Sequence, residues 1–195
     1  MLYLCVILFS MIIITLVDYF IIAKTFSLNF FEIFLAVTIA TVAEIIIDLI
    51  IAFLVRRALP KRWFSVNKKQ FIASKSESKF YEKIGIKRWK DKVLELGALS
   101  GFRKNKIYQP KNNEYVERFI LEANYGIAVH IACIILGFFV VFIYPLKVAL
   151  WFGVPVAIVN VLLNLLPIFV LRYNLPKLHK LYKYNEKRIN LVENP

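Results

Sequence analysis

Four long apolar runs, at about residues 2–23, 31–55, 126–143 and 149–171, set the terms on which this chain can fold. Each is long enough to cross a hydrocarbon core of about 30 Å as a helix, and in that core a backbone satisfies its own polar groups only as a helix or a closed barrel. The predicted fold class is therefore all-α, an integral membrane protein with four transmembrane helices, read as a single membrane domain over residues 1–195. The first run is longer than the apolar part of a signal peptide and has no small-x-small cleavage site before Lys24, so it reads as a retained anchor.

Charge is placed very unevenly around these runs. The formal net charge is +13, and 18 of the 26 Lys and Arg residues lie between Arg56 and Glu122. Lys24 and Lys147 fall in the two other connections, and six more follow from Arg172 onward. By the positive-inside rule the loop 56–125 and the tail 172–195 are both cytoplasmic, which puts both termini inside. Basic segments beside a membrane suit anionic headgroups or an anionic substrate. Topology thus accounts for the charge, no nucleic-acid recognition module has the expected spacing, and nucleic acid is not an expected partner. Cys5 and Cys133 both sit in apolar runs without metal-ligand spacing, so they read as packing residues and no metal site is expected.

The loop carries aromatic residues among its cations: Trp63, Phe64, Phe71, Phe80, Tyr81 and Trp89. In the stretch Phe80 to Gly97, FYEKIGIKRWKDKVLELG, helical spacing puts Ile86, Trp89, Val93 and Leu96 on one side, with Lys83, Lys87, Lys90 and Asp91 mainly off it. The pattern predicts an amphipathic interfacial helix within the cytoplasmic loop. The alternative is a charged helix packed on its own bundle.

Several polar residues interrupt the spans. Glu44 and Asp48 share one face of the second span, with Thr41 about a turn earlier. An ionised carboxylate at that depth costs about 3 kcal/mol, so the pair should face the bundle interior, meet a cation or hold a proton. For Asp48 the alternative is neutralisation by Arg56 or Arg57. Asn160 and Asn164 lie on one face of the fourth span, where amides can bind a carbonyl or a sugar hydroxyl, or link helices. His130 sits one turn inside the third span, and Glu122, eight residues earlier, falls on a similar face. Together they form a candidate oriented base, the carboxylate holding the imidazole in the tautomer that takes up a proton; a structural, hydrogen-bonded histidine is the alternative. From Asn164 the chain runs through Pro167, an expected kink, to Arg172, Tyr173 and Asn174 at headgroup depth, with His179 expected to be solvated beyond them. There is no Gly-rich phosphate loop and no nucleophile elbow, which excludes most enzyme templates.

Three segments, FYEKIGIKRWKDK, Glu122 to His130, and NLLPIFVLRYNLPKL, occur in the order and at the separations of known signatures. They resemble those of the glycosyl-4,4'-diaponeurosporenoate acyltransferases, small bacterial membrane enzymes of carotenoid glycolipid synthesis, and Leu59-Pro60 with Trp63-Phe64 is similar too. The resemblance covers roughly residues 50 to 188. It implies transfer of a fatty acyl group to a hydroxyl of a lipid-linked sugar at the cytoplasmic face of the bacterial cell membrane. Acyl-CoA or another acyl thioester is the implied co-substrate, with no bound cofactor; membrane lipids, the glycolipid acceptor and the acyl donor are the implied partners, and a homo-oligomer remains open. In that setting His130 and Glu122 are the expected catalytic pair. Lys87, Arg88, Lys90 and Arg172 are expected on phosphate or an oxyanion, with Trp89, Asn160, Asn164, Tyr173 and Asn174 completing the substrate site. Two other functions fit the same pattern: a lipid-sugar flippase or proton-coupled transporter working through Glu44 and Asp48, and a membrane lipid methyltransferase.

Overall fold

The structure, a computed structural model, describes residues 2–93 and 107–193. Among them lie helices α1 (Leu2–Phe26), α2 (Phe30–Ala58), α3 (Lys75–Lys83), α4 (Ile86–Trp89), α5 (Asn113–Leu136) and α6 (Leu146–Glu193), and the described residues include no strand. Short 3₁₀ turns occupy Lys61–Trp63, Lys69–Phe71 and Lys90–Lys92, and a longer one, Gly137–Ile143, continues α5. Four helices, α1, α2, α5 with its 3₁₀ continuation, and α6, are long and apolar enough to cross a membrane. The expectation of an all-α chain with four helices of membrane-crossing length and apolarity therefore holds among the described residues.

Local chemistry explains where these helices begin and end. α1 stops where Ser27 adopts a left-handed φ of 52° and the Leu28 N–H returns to the Ala23 carbonyl at 2.9 Å. Asn29 then opens α2 with a reciprocal cap. Its Oδ1 accepts from the Glu32 N–H at 2.9 Å, and Glu32 Oε2 accepts from the Asn29 N–H at 2.7 Å. Asn112 starts α5 in a similar way, its Oδ1 accepting from the Tyr115 N–H at 3.1 Å.

The helices extend well past the apolar runs that predict them. α5 begins at Asn113, inside the expected loop, and α6 continues through the expected tail as far as Glu193. It stays helical across Pro155, Pro167 and Pro176. A proline removes the hydrogen bond to the carbonyl four residues back, which for Pro167 is that of Leu163. Tyr3 of α1 supplies the missing donor, its hydroxyl reaching the Leu163 carbonyl at 3.1 Å. Because the tail is helical it has an inner face, and Leu175, Leu178, His179 and Asn185 are buried along it. His179 is therefore not the solvated residue its basic surroundings suggest.

The described residues form two compact units. The first comprises Met1–Val55 and Val129–Leu165, the second Arg56–Ala128 and Leu166–Pro195. In the first, Ile14 and Ile22 of α1, Ile33, Val37 and Ala40 of α2, and Val140, Phe152, Val156 and Ala157 make an apolar core at helical spacing. In the second, the Phe64 ring stacks on Tyr125 with centroids 4.0 Å apart, and the Asn124 amide donates to the Phe64 carbonyl at 2.8 Å.

The expected amphipathic helix from Phe80 is not a single element. α3 starts earlier, at a capping box between Ser74 and Glu77, and ends at Ile84 before Gly85, whose φ of 67° is left-handed. Glycine tolerates that conformation and a side chain strains it, so the helix breaks there and restarts as α4. Ile86 and Val93 of the predicted apolar side are buried; Leu94 to Gly97 lie outside the described residues.

Candidate active site

In the first unit the sequence-flagged polar residues of the spans converge. Asn160 and Asn164, one turn apart on α6, meet Glu44 and Asp48, one turn apart on α2. The Asn160 amide nitrogen donates to Glu44 Oε1 and lies 3.3 Å from Asp48 Oδ1. That of Asn164 lies 3.2 Å from Asp48 Oδ2 and 2.6 Å from Asn160 Oδ1. His130 Nδ1 is 2.7 Å from Asn164 Oδ1.

These contacts set the protonation pattern. The Asn164 nitrogen faces only acceptors in these contacts, so its oxygen is the atom turned to His130, and an amide oxygen can only accept. His130 Nδ1 therefore carries the hydrogen, and the basic lone pair of the neutral ring is on Nε2. Space in the unit is tight at this point. A Cβ on Gly137 would fall 2.6 Å from the Asn160 nitrogen and collide with Glu44 Oε1, so glycine admits the carboxylate and amide against the start of the 3₁₀ turn that continues α5. Cys133 contributes its carbonyl, 3.4 Å from the Asn160 nitrogen, and a long contact from its thiol to the Asp48 carbonyl.

The second unit holds the other expected residues, half of them engaged in ion pairs. Arg172 makes a two-pronged pair with Glu77, with Nη2 to Oε2 at 2.7 Å and Nε on Oε1, and its Nη1 donates to the Gln70 carbonyl at 3.0 Å. The Tyr81 hydroxyl donates to the same Glu77 carboxylate. Arg172 and its fellow donor Tyr81 hold the Glu77 carboxyl down at about 2 against the opposing effect of burial. Burial, then the bond to Glu77, pushes the Tyr81 phenol up. Lys87 pairs with Glu82 at 3.6 Å and Lys90 with Asp91 at 3.7 Å, while the Trp89 indole donates to the Ile84 carbonyl at 3.2 Å. Arg88 is exposed and Asn174 half-buried. Tyr173 is buried beneath Lys177, whose Nζ lies 3.9 Å from its ring centre.

The two members of the expected Glu122–His130 pair each meet another side chain. Glu122 Oε2 accepts from Arg56 Nη1 at 2.9 Å, in the second unit, and His130 Nδ1 meets Asn164 Oδ1, in the first. Of the two arginines weighed for Asp48, Arg56 goes to Glu122, and Asp48 itself meets the amides of Asn160 and Asn164. Helical periodicity shows that two residues share a face of their own helix, but not which neighbour that face meets. The sequence reading missed Glu77. Its signal was local: Ser74 followed three residues later by Glu is a capping-box pattern.

The sequence profile of the glycosyl-4,4'-diaponeurosporenoate acyltransferase family matches residues 60–184, more than half of the chain. The chain belongs to that family. No curated protein and no solved structure matches it. The matched region of this acyltransferase-family protein contains His130, Asn160 and Asn164 as well as Glu77 and Arg172. Glu44, Asp48 and Tyr3 precede it.

Proposed function

We propose that the protein is a membrane O-acyltransferase that moves a fatty acyl group from an acyl thioester, such as acyl-CoA, to a hydroxyl of a lipid-linked sugar. The reaction takes place at the cytoplasmic face of the bacterial cell membrane, with both termini inside. Family membership supports acyl transfer, and the basic composition of the loop and the end of α6 supports the cytoplasmic face. The observation that carries the reading is the bond from His130 Nδ1 to Asn164, which leaves the basic lone pair on Nε2.

In this reading Nε2 takes the proton of the sugar hydroxyl as its oxygen attacks the thioester carbonyl. The C–S bond then breaks, the new ester C–O bond is complete, and the imidazolium returns its proton to the departing thiolate. Asn164 holds the ring through both proton transfers. Exposed cations such as Arg88 attract the phosphates of the donor. Glu44 and Asp48 accept hydrogen bonds from the amides of a chain that ends on His130, an arrangement that favours an orienting role over that of a carrier.

The test is mass spectrometry of the lipids of cells with and without the protein. A glycolipid heavier by one fatty acyl unit should appear only with the protein, and normal expression without such a species would overturn the reading. His130→Ala, still inserted in the membrane, should lose about 10²- to 10⁴-fold of the transfer rate. Undiminished turnover would remove His130 from the mechanism.

A further inference from the structure

The apolar side chains left uncovered on α3 are not those the sequence pattern put forward for contact with the membrane. Ile86 and Val93, from the expected apolar side, are buried within the protein, whereas Phe80 and Ile84 are 48% and 38% exposed. Phe80 belongs to α3, and Ile84, one turn further on, is its C-cap. Helical spacing sets this pair between two other sides of the helix. Glu77 and Tyr81 face α6, and Lys75, Lys79 and Lys83, all exposed, recur every four residues on the other flank. Both acids of α3 are engaged, Glu77 by Arg172 and Glu82 by Lys87, so the lysine row is the charge that α3 presents outward.

Contacts with α6 set the depth of this edge. Arg172 meets Glu77, and one turn earlier on α6 the Phe169 ring meets Phe80 and Tyr81, with centroids 6.1 and 5.3 Å away. Going forward along α3 is therefore going back along α6, into the apolar run 149–171 that holds Phe169. Ile84 continues in that direction. A helix of 9 residues is too short to be stable alone, but the two-pronged Arg172–Glu77 pair fixes it to a helix long and apolar enough to cross a membrane.

We propose that α3 is seated on the inner leaflet of the membrane, with Phe80 and Ile84 at the acyl-chain boundary and Lys75, Lys79 and Lys83 on the phosphates of anionic lipids. At that boundary the two apolar side chains leave water, while the lysine stems lie along it and their ammonium groups stay among the headgroups. Each cation near an anionic leaflet strengthens binding about fivefold, which favours this occupant over a surface of no particular charge. The interfacial element is thus shorter than the helix expected from residue 80 onward, and it uses a different apolar edge.

The experiment places one added tryptophan at a time in the full chain, Phe80→Trp or Ile84→Trp, in nanodiscs of phosphatidylcholine with a minor share of phosphatidylglycerol. Emission gained over the unmodified protein is read against three quenchers: iodide in the buffer, and each of the two lipids brominated just below the headgroup. Iodide should quench little and brominated lipid strongly, with brominated phosphatidylglycerol several times more effective at equal mole fraction. Lys79→Gln combined with Lys83→Gln should remove most of that preference, at about fivefold per cation, and leave quenching by brominated phosphatidylcholine. Strong quenching by iodide would overturn the proposal, since it puts the edge in water. Protection from all three quenchers would overturn it in favour of a protein neighbour, a second copy included. Equal quenching by the two brominated lipids would remove the contact between lysine and phosphate on which it depends. Either tryptophan decides the matter, so a variant that fails to fold leaves the other to do so. The glycolipid assay reads none of these signals, and the acyl-transfer reading and this one can fail separately.

Discussion

Glu44 and Asp48 in the first unit and Glu77 in the second are held by opposite means. In the first, Glu44 and Asp48 are met by the neutral amides of Asn160 and Asn164; in the second, Glu77 is gripped by the guanidinium of Arg172. Composition explains the difference. Of the 26 Lys and Arg residues only Lys24 and Lys147 belong to the first unit, so its acids have few charged partners within reach. An amide donates without adding a second charge that must itself be desolvated, which suits an apolar interior. A guanidinium binds more strongly and with fixed two-pronged geometry, which suits a half-buried seam near water. The neutral arrangement ties α2 to α6 through uncharged donors, and the charged one ties α3 and the 3₁₀ turn Lys69–Phe71 to α6.

The comparison can be broken most severely at Gly137. Gly137→Ala sets a methyl group against Glu44 and Asn160, and the expected destabilisation is about 3 kcal/mol, seen as a lowered melting temperature in detergent together with lost transfer. Arg172→Ala attacks the other side. It strands Glu77, and because both side chains are only about a quarter exposed, the expected loss is about 2 kcal/mol, less than for a fully buried pair. A double-mutant cycle with Glu77→Ala should recover a clear coupling energy; simple additivity would show that the clasp contributes nothing.

Acid should distinguish the units more gently. The Glu77 carboxyl ordinarily titrates at 4.5 and is held at about 2 in the fold. A depressed carboxylate contributes stability that is fully present above its ordinary value and is lost as pH falls towards the folded one. Melting temperature should therefore decline between pH 4.5 and about 2, and Glu77→Gln should flatten that decline. The smallest effect is expected at Tyr3→Phe, which leaves the Leu163 carbonyl above Pro167 without its donor. A loss of about 1 kcal/mol should appear in thermal melts, with little change in salt dependence, since no charge is involved.

Much of the site was legible residue by residue before any fold was known. Glu44, Asp48, Asn160, Asn164 and His130 each stand out as polar groups in apolar runs, and the one-turn spacings place each pair on one face. What could not be read was the pairing. Glu122 and His130 looked like partners from their spacing on one helix, yet each is claimed by a side chain from another, Arg56 in the one case and Asn164 in the other. The loop shows the same limit from the other side. The apolar spacing over Ile86, Trp89 and Val93 was real, but the φ of Gly85 broke the helix that it implied.

By itself, then, the sequence determined four membrane-length helices, the depth of each polar residue along them, and membership of the acyltransferase family. Hydropathy and helical period are local properties, written in residues a few positions apart. Only the tertiary structure decided that Asn164 meets His130, that Asn160 meets Glu44, and that Arg172 is spent on Glu77. Those choices join residues 34, 116 and 95 positions apart. At such separations hydrogen-bond partners are chosen by which helix faces pack together, and no local pattern carries that information.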